Sequence, residues 1–291
     1  MLDLKLPYGL QDGELVSIDE VEGGLECNCV CPGCQKQLIA RKGSINVHHF
    51  AHYEAPDCGY GIESALHKLC KSYFLSKTHF VTPPVYFHRS SFMVYGKQEI
   101  TIDSIEFEKQ LEDIRPDILI VSKGKKLLVE IAVSHKVDSF KANKIRSLGI
   151  ATIEIDARRI LANRSVKRDF GLGPKSLLPT DIINGIANKY WVYNPKLLKI
   201  KSILREKCAE LKHLKSFPIS ENYGRIQELM GYENCPIQKR VSTAKLNKGI
   251  SYARFDDCNH CIFNVSYDNF SSISCIGHFK DNFYSLIKQF S

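Results

Sequence analysis

Two short apolar runs, residues 118–121 and 127–133, stand on either side of a polar stretch that contains a single glycine. One carboxylate accompanies each run, because Asp117 opens the first and Glu130 interrupts the second. Apolar runs of strand length joined by a short glycine-containing loop predict a β-hairpin. We therefore expect Asp117 and Glu130 to lie on neighbouring strands.

Hydrophobic spacing on both sides of this hairpin predicts a compact α/β core. Apolar residues from Ile62 to Tyr73 recur at helical spacing and predict a helix over residues 62–76. The stretch from Lys136 to Leu148 fits a second helix, which Gly149 would end as a C-terminal cap. Strands are expected at residues 92–96, 99–107, 117–121, 127–133 and 151–156.

The last third of the chain has weaker signals. Residues 170–176 predict a linker, and residues 181–190 fit a short helix. An amphipathic helix is expected to begin at Pro195, and residues 217–291 are rich in turns and cysteines. The chain is therefore expected to have three parts: residues 1–60, 61–165 and 166–291.

Composition and charge narrow the classes of protein. The 291 residues are 44% hydrophobic and 25% charged, as in a globular protein, and no apolar run is long enough to span a bilayer. The N-terminus lacks the pattern of a secretion signal, so we expect a cytoplasmic protein. The net charge of +8 favours a polyanionic partner. Eleven cysteines in a cytoplasmic chain point to metal binding rather than to disulfides.

A metal site is predicted near the N-terminus. Cys31 and Cys34 form a knuckle that can grip one zinc ion, and His49, His52 and Cys58 follow. Tetrahedral zinc needs four ligands, so we expect Cys31, Cys34, His52 and Cys58, with His49 as the substitute for one of them. The alternative is a set of reduced cysteines and surface histidines. A short segment with few large apolar residues needs a bound metal to stabilise its fold, so we expect the role of the zinc ion to be structural.

Asp117 and Glu130 are the candidates for a second, catalytic metal site. A charge in a buried strand is costly unless it is paired or binds a metal. Two converging carboxylates suit Mg²⁺ or Mn²⁺, and phosphodiester-cutting sites are commonly built in this way. Glu63, on one helical face with His67, is expected to join them; the alternative is a surface carboxylate paired with His67 or Lys71.

A cation near the reacting phosphate would complete this site. Lys144 is the candidate, because it shares a helical face with apolar residues; the alternative is that its charge reaches out to solvent. The competing candidates are His135, Lys136 and Lys141. Two further acids on the last predicted strand, Glu154 and Asp156, are expected to face solvent or to pair with Arg158 and Arg159.

The C-terminal cysteines form a second candidate zinc site. Cys235, Cys258 and Cys261 would bind the ion together with either Cys275 or His278. The alternative is a set of unrelated buried thiols.

The N-terminal motifs resemble the competence protein CoiA-like family. The resemblance rests on Cys31-x-x-Cys34, the block from His49 to His52, Cys58, and then Glu63 with His67. It implies a zinc-ribbon-like segment placed before a nuclease domain.

Asp117 and Glu130 resemble the acidic positions of the PD-(D/E)XK nuclease superfamily, with Pro116 supplying the first residue of the dipeptide. That superfamily usually carries a lysine two residues after the strand glutamate, where this chain has Ala132. Some members take the lysine from the following helix, which favours Lys144.

The resemblance implies an α/β fold with a PD-(D/E)XK-like nuclease core at residues 61–165. A zinc-ribbon-like segment would precede it, and a mixed helical, cysteine-containing region would follow. The implied activity is that of a Mg-dependent deoxyribonuclease in DNA uptake, recombination or antiviral (phage) defence, with Mg²⁺ or Mn²⁺ for catalysis and Zn²⁺ for structure. The expected partners are DNA and a protein partner or a second copy in a homo-oligomer, without a membrane. The alternative is a non-catalytic DNA-binding or adaptor protein, which Ala132 favours.

Overall fold

A computed structural model describes most of the chain, which divides into two units. Met1–Pro83 with Lys97–Asn194 form the first unit, and Pro84–Gly96 with Pro195–Ser291 form the second. The three-part division expected from the sequence stays a prediction. The residues described are 5–87, 93–166, 177, 179–222, 225–237, 244–245, 251–254, 257–258, 261–268 and 271–290.

Strands and helices are numbered here in chain order across both units. The strands are β1 Tyr8–Gln11, β2 Glu14–Ser17, β3 Leu38–Arg41, β4 His49–His52, β5 His79–Thr82, β6 Val85–Tyr86, β7 Met93–Tyr95, β8 Gln98–Thr101, β9 Ser104–Phe107, β10 Ile118–Ser122, β11 Lys125–Ala132, β12 Ala151–Asp156, β13 Lys189–Tyr193, β14 Glu210–His213, β15 Lys215–Asn222, β16 Arg225–Glu233, β17 Ala244–Lys245, β18 Ser251–Arg254, β19 Asn264–Asp268 and β20 Ser272–Cys275. The helices are α1 Gly61–Phe74, α2 Ser139–Leu148, α3 Ala157–Val166, α4 Pro179–Ile183, α5 Pro195–Cys208 and α6 Phe283–Phe290. None of the helices among the described residues is long and apolar enough to cross a membrane.

A five-stranded mixed sheet with the order β13-β12-β11-β10-β9 is the centre of the first unit. Strands β9, β10 and β11 form an antiparallel meander, β11 and β12 are parallel, and β13 is antiparallel to β12. A parallel pair needs a crossover connection, and α2 supplies it. The fold of this unit is therefore mixed α/β, as the hydrophobic pattern indicates.

The predicted hairpin is confirmed as β10 and β11. Ser122 pairs with Lys125, which leaves Lys123 and Gly124 as a two-residue turn. Both have positive φ, 48° and 72°, as a type I′ turn requires. This register brings Asp117, just before β10, opposite the position of Glu130 in β11.

The two helices that flank the hairpin lie close to where the pattern predicts them. Helix α1 buries a stripe that includes Ala65, Leu66, Cys70 and Phe74. Helix α2 begins later than expected, because the Asp138 side chain accepts a hydrogen bond from the Lys141 backbone N–H (2.7 Å) and caps the helix there. It ends at a left-handed glycine, as expected from its sequence.

Two expected elements are wrong in extent. The strand expected over residues 99–107 is divided into β8, which pairs with β5, and β9, which pairs with β10, because the chain passes from one sheet to another. The helix expected over residues 181–190 ends at Ile183. Gly185 donates its N–H to Thr180 (2.7 Å) and closes that helix, and the following residues form β13. The expected linker, residues 170–176, lies outside the described residues.

Strands, rather than helices, dominate the described part of the second unit. A three-stranded sheet has the order β14-β20-β19, and a four-stranded sheet has the order β15-β16-β18-β17. Helix α5 follows Asn194 as expected, and its buried residues are Ile200 and Leu204. The expectation of a mixed helical C-terminal region is therefore corrected: long-range strand pairing overrides the weak local helical signal. The core of this unit also contains Tyr232, Phe263 and Phe283.

Replacement of Gly124 tests the hairpin turn. We expect Gly124→Ala to lower the free energy of unfolding by about 1 kcal/mol, because a side chain at φ +72° is strained although no atom would touch it. Urea unfolding measures the change. Gly43→Ala is the matched control, because its Cβ would also meet nothing within 4 Å and its φ is not left-handed. An equal loss in both variants would contradict the assigned turn.

Candidate functional site

Four potential metal ligands converge in the N-terminal segment. They are Cys31, Cys34, His52 and Cys58, and their ligand atoms all lie within 4.8 Å of one another. The Cys31 and Cys58 sulfurs are 3.7 Å apart, and Cys34 Sγ is 3.2 Å from His52 Nε2. Three sulfurs and one imidazole nitrogen are the donor set that suits tetrahedral zinc, so this cluster could hold such an ion.

The local backbone explains why the knuckle has its shape. Gln35 donates its backbone N–H to the Cys31 carbonyl (2.9 Å), and the Gly33 N–H points at Cys31 Sγ (3.4 Å). A Cβ at Gly33 would lie 2.8 Å from the Tyr60 carbonyl carbon, so only glycine permits this approach to the start of α1. The knuckle and the first turn of α1 are thus in direct contact.

His52 is oriented for coordination by Asp57. His52 Nδ1 donates to Asp57 Oδ1 (3.0 Å), which leaves Nε2 facing the thiols. This hydrogen bond lowers the pKa of the Asp57 carboxyl. Burial raises the pKa of Cys31 to about 11, a cost that a bound cation would remove by favouring the thiolate. A carboxylate behind the ligating histidine is the usual support of a zinc site.

The structure brings together the four residues that the zinc prediction names. His49, the substitute ligand, is not among them, and its Nδ1 lies 2.8 Å from the Val47 carbonyl. Arg41 is its cross-strand partner in the β3–β4 pair.

Five carboxylates of the first unit line one cavity of about 240 Å³. Glu63 comes from α1, Asp117 precedes β10, Glu130 lies in β11, Asp138 caps α2, and Glu154 lies in β12. Lys136 and Lys141 also line it. The sheet and both helices therefore contribute to a single acidic pocket with two lysines beside it.

Asp117 is held as a carboxylate by its surroundings. Ile131 donates its backbone N–H to Oδ2 (2.8 Å), while His67 Nδ1 and Lys71 Nζ each lie 3.2 Å from Oδ1. Burial alone would raise the pKa of Asp117. The hydrogen bonds from His67 and Ile131, together with the nearby positive charge of Lys71, outweigh burial and lower this pKa to about 2.

Glu130 is the most constrained acid of the cavity. Its side chain is 6% exposed, and Oε2 accepts a 2.7 Å hydrogen bond from Lys141 Nζ. Its other oxygen, Oε1, is buried without any hydrogen-bond partner. Burial raises the pKa of Glu130 in spite of the lysine, and the charge of Asp117 acts in the same direction. An oxygen of this kind is where a cation would be most strongly attracted.

Glu154 is a residue that the sequence reasoning missed. It was expected to face solvent or to pair with an arginine, but it is 5% exposed and lies beside Glu130 in the parallel register of β11 and β12. Its Oε2 accepts the Val137 backbone N–H (2.6 Å). Asp156 is also buried, and it accepts the Arg159 backbone N–H (2.9 Å) at the start of α3. The alternation of the two acids was visible in the sequence, but the register between the strands was not.

The placement expected for Lys144 is wrong. Its Nζ lies 3.4 Å from the Asp113 carbonyl and 4.5 Å from the centre of the Phe140 ring, outside the acidic cavity. The helical face that Lys144 shares with Phe140 is not the buried face of α2. Phe140 is 69% exposed, whereas Ile145 is fully buried. Lys141, a competing candidate, is the lysine that contacts Glu130.

Glu63 faces the cavity as expected from its helical position. His67, one turn further along α1, contacts Asp117 instead of Glu63. The alternative pairing of Glu63 with His67 is therefore absent from the described contacts. Lys71, the other alternative partner, contacts Glu108 (2.6 Å) as well as Asp117.

The C-terminal cysteines also come together. Cys235, Cys258, Cys261 and Cys275 line one small cavity of about 20 Å³. His278, the alternative fourth ligand, has its Nδ1 3.7 Å from Glu210 Oε1. All eleven cysteines of the chain lie in the described residues, and none of them forms a disulfide.

Comparison with known proteins gives one family match. The model of the family "Competence protein CoiA, N-terminal domain" matches residues 17–61, the segment that contains the cysteine–histidine cluster. This match supports the resemblance to the CoiA-like family. No curated protein and no solved structure matches the chain.

Removal of two cluster cysteines tests the N-terminal site. We expect Cys34→Ser combined with Cys58→Ser to lower the zinc content of the purified chain by about one ion, because two ligands cannot retain structural zinc. Elemental analysis measures it. His49→Ala is the control and should keep the full zinc content, since His49 lies outside the cluster. Zinc loss in the control alone would contradict the ligand set.

Proposed function

We propose that this protein is a metal-dependent nuclease that hydrolyses phosphodiester bonds in DNA. The observation that carries the proposal is the buried, unpartnered Oε1 of Glu130, a residue that lines one cavity with Asp117 and Glu154. Among the described residues, only three buried side-chain nitrogen or oxygen atoms lack a partner, and this is the one that belongs to a carboxyl group. A buried carboxylate oxygen without a hydrogen-bond partner is costly unless a cation is bound beside it.

The residue types of the cavity suit a divalent cation, which would draw their carboxylate oxygens closer together, since among the described residues only the N-terminal cluster has its ligand atoms all within 4.8 Å of one another. Carboxylate oxygens are the ligands that Mg²⁺ and Mn²⁺ prefer, and Asp117, Glu130 and Glu154 supply them from adjacent strands. When bound, such a cation lowers the pKa of water and stabilises the negative charge that develops on a phosphate in transfer. Glu63 would assist from α1.

The surrounding groups affect the ionisation of Asp117 and Glu130 in opposite directions. Asp117 is already ionised and fixed in direction by the Ile131 N–H and by His67. Glu130 is held near Lys141, but burial resists its ionisation. A cation would relieve that resistance, so the pocket is better suited to the loaded state than to the empty one.

Lys141 is the best-placed cation for the reacting phosphate. It contacts Glu130 from the helix after the hairpin, and its side chain is 31% exposed, so the charge can also reach a ligand in the cavity. It would fill the role of the lysine that is missing at Ala132.

The order of elements also supports the proposal. Helix α1, the β9–β11 meander, α2 and β12 lie within residues 61–165, where the resemblance to PD-(D/E)XK nucleases implies the nuclease core. The net charge of +8 suits a polyanionic substrate. The CoiA match favours a setting in competence, that is, in DNA uptake and recombination, with antiviral defence as the other setting.

The rival is a non-catalytic DNA-binding or adaptor protein, acting alone, with a protein partner or as a homo-oligomer. Ala132 favours it, since the usual motif lysine is absent. DNA binding without cleavage under every metal tested would favour this rival.

Replacement of the acids tests the nuclease. We expect the parent chain to cut plasmid or single-stranded DNA with Mg²⁺ or Mn²⁺ and not with chelator. Asp117→Asn and Glu130→Gln should each lower the rate about 100-fold or more, because each replaces a charged ligand by a neutral side chain of nearly the same shape. Cleavage rates on gels measure it. Undiminished cutting by both variants would place the active site elsewhere.

The two lysines of α2 form a matched pair for a further experiment. We expect Lys141→Met to lower the cleavage rate about 100-fold, because it removes the cation beside Glu130. Lys144→Met removes the same charge from the same helix, outside the cavity, and should leave the rate within about threefold of the parent. The reverse result would restore Lys144 as the functional residue.

A further inference from the structure

The second unit gathers four cysteines around one small space. Cys235 lies just after β16, and Cys275 ends β20. Cys258 and Cys261 are three positions apart, and the Cys261 backbone N–H donates to the Cys258 carbonyl (3.2 Å). Their shared cavity measures about 20 Å³. That volume suits one water-sized particle and no organic ligand.

Two of these thiols lie in turns that resemble the N-terminal knuckle. Phe263 points its backbone N–H at Cys261 Sγ (3.3 Å), and Gly277 does the same for Cys275 Sγ (3.3 Å). In the N-terminal cluster, Gly33 directs its N–H at Cys31 Sγ in the same way (3.4 Å). In each case the donor is two residues after the cysteine. A donor placed there stabilises a thiolate, which is the form that binds metal.

Close backbone packing holds two of the cysteine segments together. A Cβ at Gly277 would lie 2.5 Å from Pro236 Cγ and 3.3 Å from Cys275 Sγ. Only glycine permits this approach. The segment after Cys235 is therefore pressed against the turn after Cys275, as in a site assembled from two halves.

Two buried polar atoms at this cavity lack a partner. Tyr232 is 1% exposed and its hydroxyl has no hydrogen bond, and Asn264 is 3% exposed and its Oδ1 has none. Both residues line the cavity. Each unsatisfied atom is costly in a purely apolar cluster of thiols. A bound cation changes this balance for the tyrosine, because it favours thiolates and a thiolate can accept a hydrogen bond from the tyrosine hydroxyl.

The charges around the cavity also suit an ion with four thiolates. Such a centre carries two net negative charges when the ion is divalent. Lys212 lines the cavity, and its Nζ lies 3.1 Å from the Asn234 carbonyl, so a positive charge is fixed nearby. The positive charge of Lys212 would offset part of the net negative charge of the four-thiolate centre.

We propose that Cys235, Cys258, Cys261 and Cys275 bind one structural zinc ion. Among the described residues, only the N-terminal group has its ligand atoms all within 4.8 Å of one another, so the C-terminal sulfurs are more widely spaced and zinc would draw them inward. The ion would occupy the small cavity that the four cysteines line. The site stands apart from the nuclease proposal and shares no residue with it.

Zinc stoichiometry of the full-length chain is the first test. We expect about two zinc ions per chain in the parent, and about one after Cys258→Ser combined with Cys261→Ser. Cys208→Ser, in the same unit and outside the cavity, is the matched control and should keep both ions. A parent with one zinc ion, lost when Cys34 and Cys58 are replaced, would overturn the proposal, as would iron in place of zinc.

A second measurement needs no variant and so does not depend on whether a variant folds. The zinc-loaded chain is treated with a thiol-alkylating reagent, with and without a strong chelator, and each cysteine is followed by mass spectrometry. We expect the four cavity cysteines to react much faster with chelator, whereas Cys208 reacts at the same rate in both. Chelator-independent rates at all four cavity cysteines would overturn the proposal, because ordinary burial does not respond to metal removal.

Discussion

The burial of Glu130 in the central sheet is the constraint on which the first unit depends. The residue interrupts an apolar strand, its side chain is 6% exposed, and only one of its oxygens is paired. The surrounding elements converge on it: Lys141 from α2, Glu154 from the parallel strand and Asp117 from across the hairpin. Lys141 offsets part of the cost of burying this acid, whereas the charge of Asp117 adds to that cost.

The cysteine–histidine cluster and the acidic cavity are connected through α1. Gly33 of the knuckle packs against the backbone of Tyr60 and Gly61, where α1 begins, and a Cβ at Gly61 would meet Cys31 Sγ at 3.0 Å. The same helix carries Glu63 and His67 to the cavity within its first two turns. A metal in the cluster would therefore stabilise the start of the helix that positions two cavity residues, although it lies outside the cavity itself.

Local signals predicted much of the fold and part of the site. The hairpin, both helices that flank it and the strand after α2 lie near their expected positions, because turn chemistry, caps and apolar spacing act over a few residues. The four clustered ligands were also identified from spacing alone. The expected single strand over residues 99–107 and the expected helix over residues 181–190 differ from the structure, since sheet partners far away in the chain decided their conformation.

The sequence by itself determined where the turns lie and which residues are candidate ligands. It contains the knuckle, the two acids of the hairpin and the left-handed glycine that joins their strands, and each is visible as a short local pattern. Only the tertiary structure decided that Glu154 joins the acids and that Lys141, not Lys144, approaches Glu130. The register of a parallel strand pair and the rotation of a helix on a sheet depend on packing between distant segments. No local pattern specifies these features, because a shift of one residue turns a side chain to the opposite face.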